Sequence, residues 1–142
     1  MGPCLGTLLF QLPPNFRCDL TRFTTFLGWL PTDIRAAFEF RHDSWLNEDV
    51  YAALASRQVA LAIADFGDKT TPMRTTARHG YFRLRDEGYQ TADLERWAET
   101  VAARASEWDD AFVYFKHEDE GKGPEFAKAF ADILKSRGLL PA

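Results

Sequence analysis

Two hydrophobic periods take turns along this chain. Residues 5–11, 36–41, 58–64, 80–85 and 111–116 are short apolar or alternating runs, and after the first, second, fourth and fifth the apolar residues fall at helical spacing. A strand turns successive side chains to opposite faces and a helix repeats every 3.6 residues, so each period selects its element. Asp19 caps a first helix that carries Leu20, Phe23, Phe26, Leu27 and Leu30 and stops at Pro31, and Asn47 opens a second with Glu48 and Asp49 in its first turn. Thr91 caps a third, with Leu94, Trp97, Ala98, Val101 and Ala105 on one stripe. A fourth runs from Pro124 through Phe126, Phe130, Ile133 and Leu134 to Gly138. Only the interval 66–79 loses periodicity, and loops of about a dozen residues are usually functional or mobile. The alternation predicts an α/β fold of five mostly parallel strands and about four helices, joined by right-handed crossovers.

A chain of 142 residues, 46% of them hydrophobic, supplies one core of ordinary size. Its 17 Lys and Arg against 21 Asp and Glu give a net charge of −4, which implies no general attraction to nucleic acid or to a membrane, so any anion site must be local. Cys4 and Cys18 have no metal-site spacing and are too few for a disulfide scaffold. Neither an apolar run of about 18 residues nor a signal-peptide pattern is present, so a cytoplasmic protein without membrane partners is expected.

The second strand departs from the rule for parallel sheets, whose buried strands read as almost continuous apolar runs. In Phe38-Glu39-Phe40-Arg41-His42-Asp43-Ser44-Trp45 the two phenylalanines share one face, Glu39 and Arg41 share the other, and a polar turn follows at once. Together with Leu9-Phe10-Gln11-Leu12-Pro13, Tyr81-Phe82-Arg83-Leu84 and Val113-Tyr114-Phe115-Lys116-His117-Glu118-Asp119-Glu120-Gly121, this stretch resembles the YecE-like family, domain of unknown function 72. The resemblance runs over nearly the whole chain and implies a TIM-barrel-like fold with no established activity. A full barrel takes about 250 residues and eight strand-helix units. The five strands here look like the last five, so the resemblance implies a truncated, partial barrel that lacks its first three units. Two strand edges are then open, and open edges are templates for association with a partner or a second copy. A truncated gene product, a partner that supplies the rest and a surviving open sheet all fit the sequence.

In parallel barrels the site lies at the C-terminal ends of the strands. If the bulky apolar face of each strand packs on helices, Gln11, Glu39, Arg41, Tyr81, Arg83, Arg85, Tyr114 and Lys116 point inward, while the facing of Asp65 is ambiguous. Such groups are seldom buried without partners, because desolvating a charge is costly. Glu39, Arg41 and Arg83 then form a structural ion-pair network, or Arg41, Arg83 and Arg85 hold an anionic or polyhydroxyl ligand with Glu39 or Asp65 as general base; the two are not exclusive. His42 suits proton transfer near neutrality, or caps the turn that follows. Ser44 reads as a turn residue, since nothing here resembles G-x-S-x-G. Trp45 covers the rim of the core or stacks on a sugar or base. His117, Glu118, Asp119 and Glu120 invite a metal reading, but consecutive residues rarely all reach one ion and Lys116 opposes a cation, so no metal ligand is assigned and no cofactor follows.

The leading expectation is a barrel protein that binds a small polar or anionic ligand at its strand ends, as a hydrolase or lyase using acid and base groups. A metal-dependent phosphodiesterase or nuclease acting on nucleic acid is a rival on fold analogy alone, and the net charge does not favour it. A non-enzymatic binding or assembly module is the other.

Overall fold

The computed structural model describes residues 5–86, 88–115 and 121–140. Nine main elements follow in the order β1 (Leu8–Gln11), α1 (Leu20–Trp29), β2 (Ala36–Glu39), α2 (Glu48–Ser56), β3 (Ala60–Asp65), β4 (His79–Leu84), α3 (Thr91–Ala102), β5 (Asp110–Phe115) and α4 (Lys122–Ser136), with short 3-10 turns at Asp43–Trp45 and Ala105–Glu107. All neighbouring strands pair in parallel, in the spatial order β1-β2-β3-β4-β5. The expected α/β fold is present as one open sheet, with β1 and β5 at its edges. No helix among the described residues is long and apolar enough to cross a membrane.

Local chemistry sets the helix ends. Asp19 accepts the Arg22 amide at 3.0 Å and Asn47 the Val50 amide at 3.1 Å, as N-caps do. The third helix is capped one residue earlier than expected, at Gln90 instead of Thr91, because the Asp93 carboxylate reaches back to accept the Gln90 amide at 2.9 Å. α4 starts at Lys122 and holds Pro124 in its first turn, where amides have no partner within the helix. It ends short of Gly138, whose φ of 71° lets the Leu139 amide turn back to the Leu134 carbonyl at 3.0 Å.

The two faces of the sheet differ in kind. On the outer face Phe38, Phe40, Leu61, Ile63, Phe82 and Leu84 pack with the helices into the main core. The inner face carries a small cluster that contains no helical residue, built on Ala37, Ala60, Ala62, Ala77 and Tyr81. Between β3 and β4 the crossover has no helix, as expected for residues 66–79, although His79 already opens β4. Its threonine hydroxyls meet backbone groups at β3 instead: Thr76 Oγ1 accepts the Leu61 amide at 2.8 Å and donates to the Val59 carbonyl at 2.7 Å, and Thr71 Oγ1 accepts the Ala64 amide at 3.2 Å.

Bonds that skip a strand show how strongly the sheet curls. At the N-terminal ends of the strands, His79 on β4 donates Nε2–H to the Ala36 carbonyl on β2 at 3.1 Å, over the start of β3. Arg35 pairs with Asp110 of β5 at 2.7 Å and lies over the Phe112 ring. Burial pushes the His79 imidazole below its ordinary range, and the Ala36 carbonyl opposes this only in part. The folded chain therefore holds fewer protons at this group than the unfolded chain. Its contribution is complete above the ordinary value of about 6.5 and is lost as pH falls below it. Urea unfolding is expected to give a lower stability near pH 5.5 than near pH 7.5, roughly one unit either side of that value. His79→Gln, which keeps a donor to Ala36, should remove this part of the difference; an unchanged pH slope would show that the group is not responsible.

Candidate functional site

Glu39 is the centre of the polar inner face. It ends β2, is fully buried, and shares its strand face with Arg41. Three donors from three strands or their ends meet its carboxylate: Gln11 Nε2 at 2.7 Å and Arg41 Nε at 3.3 Å on Oε1, and Arg83 Nη1 at 2.5 Å on Oε2. Arg83 comes from β4, which is not a neighbour of β2. The registers place Ala37 beside Ala60 and Arg83 beside Ala64, so the link passes over the inner side of β3, where only the methyl groups of Ala62 and Ala64 stand in its way. Tyr81 sits next to the group, with its ring 5.3 Å from that of Tyr114. Burial, and secondarily Tyr114, raise the Tyr81 phenol, so it stays neutral. Gln11, Glu39, Arg41, Tyr81, Arg83 and Tyr114 thus share one face, as their spacing predicts, and the structural ion-pair network expected of Glu39, Arg41 and Arg83 is formed.

Beyond this group a second layer of side chains forms. The Phe66 ring has Arg41 Cζ 5.8 Å and Arg85 Cζ 5.1 Å from its centroid. These residues wall a cleft of about 370 Å³ together with Pro14, Phe40, Leu46, Asp68, Lys69 and Thr71, at the C-terminal ends of β1 to β4. Lys69 is ion-paired with Asp43 of the 3-10 turn, which ties the β3–β4 loop to the β2–α2 loop across the cleft. Glu39 grips Arg41 through Nε alone, so its two terminal nitrogens are left for other partners. No carboxylate among the described residues pairs with Arg85.

Asp65 resolves to the opposite face. It is buried and accepts from Tyr89 Oη at 2.8 Å, Trp97 Nε1 at 3.1 Å, Thr70 Oγ1 at 3.1 Å and the Gly67 amide at 3.1 Å. Burial and then this hydrogen bond push the Tyr89 phenol far above its usual range. The carboxylate closes a tight turn in which Gly67 takes a φ of 86°, and by parity the turn sends Phe66 to the inner side. Asp65 therefore does not join Glu39.

His42 accepts the Ser44 amide on Nδ1 at 3.1 Å and so caps the 3-10 turn, while Ser44 Oγ accepts the Cys18 amide at 2.8 Å. Trp45 corrects the platform reading. It is 2% exposed, lies 4.8 Å from Phe40 at an interplanar angle of 4°, and donates Nε1–H to the Phe16 carbonyl, so its ring faces serve the core. Lys116, His117, Glu118, Asp119 and Glu120 lie outside the described residues. Within them, no three His, Cys, Asp or Glu side chains group as metal ligands. Phe66 and Lys69 escaped the sequence reading because they fall in the aperiodic interval. The one available signal was the parity of β3, which places Phe66 on the same face as Ala62 and Ala64.

Breaking the link over β3 leaves a buried carboxylate short of its closest donor. Arg83→Met should lower the unfolding free energy by about 3 kcal/mol, the cost of removing one partner of a buried pair. Arg41→Met should lower it less, because Arg41 is 31% exposed where Arg83 is 16% exposed. Equal, negligible changes in a denaturant titration would mean that the network does not brace the sheet.

Comparison with known proteins places the fold. A DUF72 family protein from Thermotoga maritima matches with a TM-score of 0.76 and 22% identity, over 92% of this chain and 58% of that one. Two crystal structures of a DUF72 family protein from Enterococcus faecalis give TM-scores of 0.75 and 0.74 at 19% and 20% identity, over 89% of this chain and 57% and 60% of theirs. This chain thus spans less than two thirds of the length of those solved proteins, and at such identities the likeness carries the fold alone. No curated protein matches it. The family model described as "Protein of unknown function DUF72" matches residues 1–141, and the chain belongs to that family.

Proposed function

We propose that this chain binds a small anionic ligand at the C-terminal ends of its strands, in the cleft walled by Arg41, Phe66 and Arg85. The observation that carries this reading is the pair of guanidinium groups set over one phenyl ring, of which only Arg41 has a carboxylate partner. Two guanidinium groups bordering one cleft outnumber its single carboxylate, Asp68, and favour a counter-ion, and a planar guanidinium grips a phosphate or carboxylate through two parallel hydrogen bonds. Glu39 and Asp65, met by three and four donors, serve here as anchors that position Arg41 and the Phe66 turn. For hydrolase or lyase chemistry, His42 beside Arg41 is the group assigned to proton transfer, since its Nε2 makes no hydrogen bond among the described residues. Arg83, buried against Glu39, supports the cleft from below.

A second reading, assembly, is favoured by the free sides of β1 and β5 and by the greater length of the relatives. In it, polypeptide equivalent to three further strand-helix units closes the sheet. Trp29 on α1 and Leu139 and Leu140 beyond α4 are large apolar side chains exposed in the chain by itself.

Thermal melts in millimolar inorganic phosphate test the first reading, because a ligand of the native state raises the melting temperature by mass action. An upward shift is expected for the wild-type chain and none for Arg85→Met. The unliganded stability of that variant should change by less than about 0.5 kcal/mol, since no ion pair is lost. A wild-type melt indifferent to phosphate would count against the site. Light scattering on the purified chain tests the second reading: a dimer or larger assembly is expected, and a cooperatively melting monomer would show that the open sheet stands alone.

A further inference from the structure

We infer that the ligand of this cleft carries its phosphate on a flat ring, as an aryl phosphate does, and is not a bare inorganic anion. This rests on the anion reading above and adds the body of the ligand to it. The cleft, at about 370 Å³, has the size of a small-molecule site and far exceeds what an inorganic anion fills.

Its cations and its apolar walls stand side by side. Arg41 and Arg85 border the same space as Pro14, Phe40, Leu46 and Phe66. Phe40 closes the base of the cleft from the core: it is 4% exposed and its ring is stacked on Trp45, whose indole nitrogen is tied to the Phe16 carbonyl at 2.7 Å. Both guanidinium groups already lie against an aromatic ring, an arrangement in which their planes accept a second ring as readily as their edges accept oxygen.

A flat ring would lie against Pro14, Leu46 and the guanidinium groups, an apolar and π-bearing surface beside the anion-binding nitrogens.

The test uses isothermal titration of the full chain with phenyl phosphate, methyl phosphate and cyclohexyl phosphate, three monoesters with the same charge and different bodies. Phenyl phosphate is expected to bind about tenfold more tightly than methyl phosphate, a ratio that partial burial of one ring supports. It should also exceed cyclohexyl phosphate. Leu46→Ala should lower the ratio of phenyl to methyl phosphate affinity, whereas Arg85→Met should abolish binding of all three. Equal affinity for phenyl and methyl phosphate would overturn the ring inference and leave the anion site standing. Equal affinity for phenyl and cyclohexyl phosphate would overturn flatness as the selected property. No binding of any ester to the folded wild-type chain would overturn this inference and the anion reading together.

Discussion

A fully buried carboxylate sits where this sheet bends, and it can be there only because three donors reach it. Removing a charged carboxylate from water costs several kcal/mol unless its partners are well placed. For Glu39 the partners come from β1, from the residue pair beyond β2 and from β4. A flat sheet would hold β2 and β4 nearly 10 Å apart, twice the usual spacing between neighbouring strands. Curvature and network therefore support one another. The network in turn aims Arg41, since a guanidinium held by Nε presents its other nitrogens outward.

Two acidic residues at neighbouring strand ends divide the labour by parity. Glu39 faces inward and organises cations; Asp65 faces outward and organises a turn. Through Gly67 and Thr70 it fixes the start of the β3–β4 loop, and through Tyr89 and Trp97 it ties that turn to α3 and the segment before it. The ring of Phe66 is placed against two arginines as a result. An exchange of facing between the two carboxylates would leave the cleft without its floor and the loop without its tie.

Most of this was legible because period and polarity agree. Alternation marked five strands, the charged faces of Phe38-Glu39-Phe40-Arg41 and Tyr81-Phe82-Arg83-Leu84 marked the inner side, and loss of period marked the crossover without a helix. What escaped depends on three-dimensional closure. Asp65 ends a strand that reads as an apolar run, so no polar alternation marks which face it takes. Trp45 reads equally well as a platform or a core residue until Phe16 and Phe40 are brought to it. His79 looks like a loop residue, and its bond to Ala36 exists only in a curled sheet. Lys69 finds Asp43 across 26 residues, a distance at which no local rule operates.

The alanines on the inner side of β3 carry a consequence for how such a sequence can drift. Ala60, Ala62 and Ala64 are nearly or wholly inaccessible, and the carboxylate and guanidinium meet above the last two. A larger side chain there would part the pair without touching either partner. The three positions and the two charged residues are thus a single inheritable unit: the inner row of β3 changes only together with the strands on both sides.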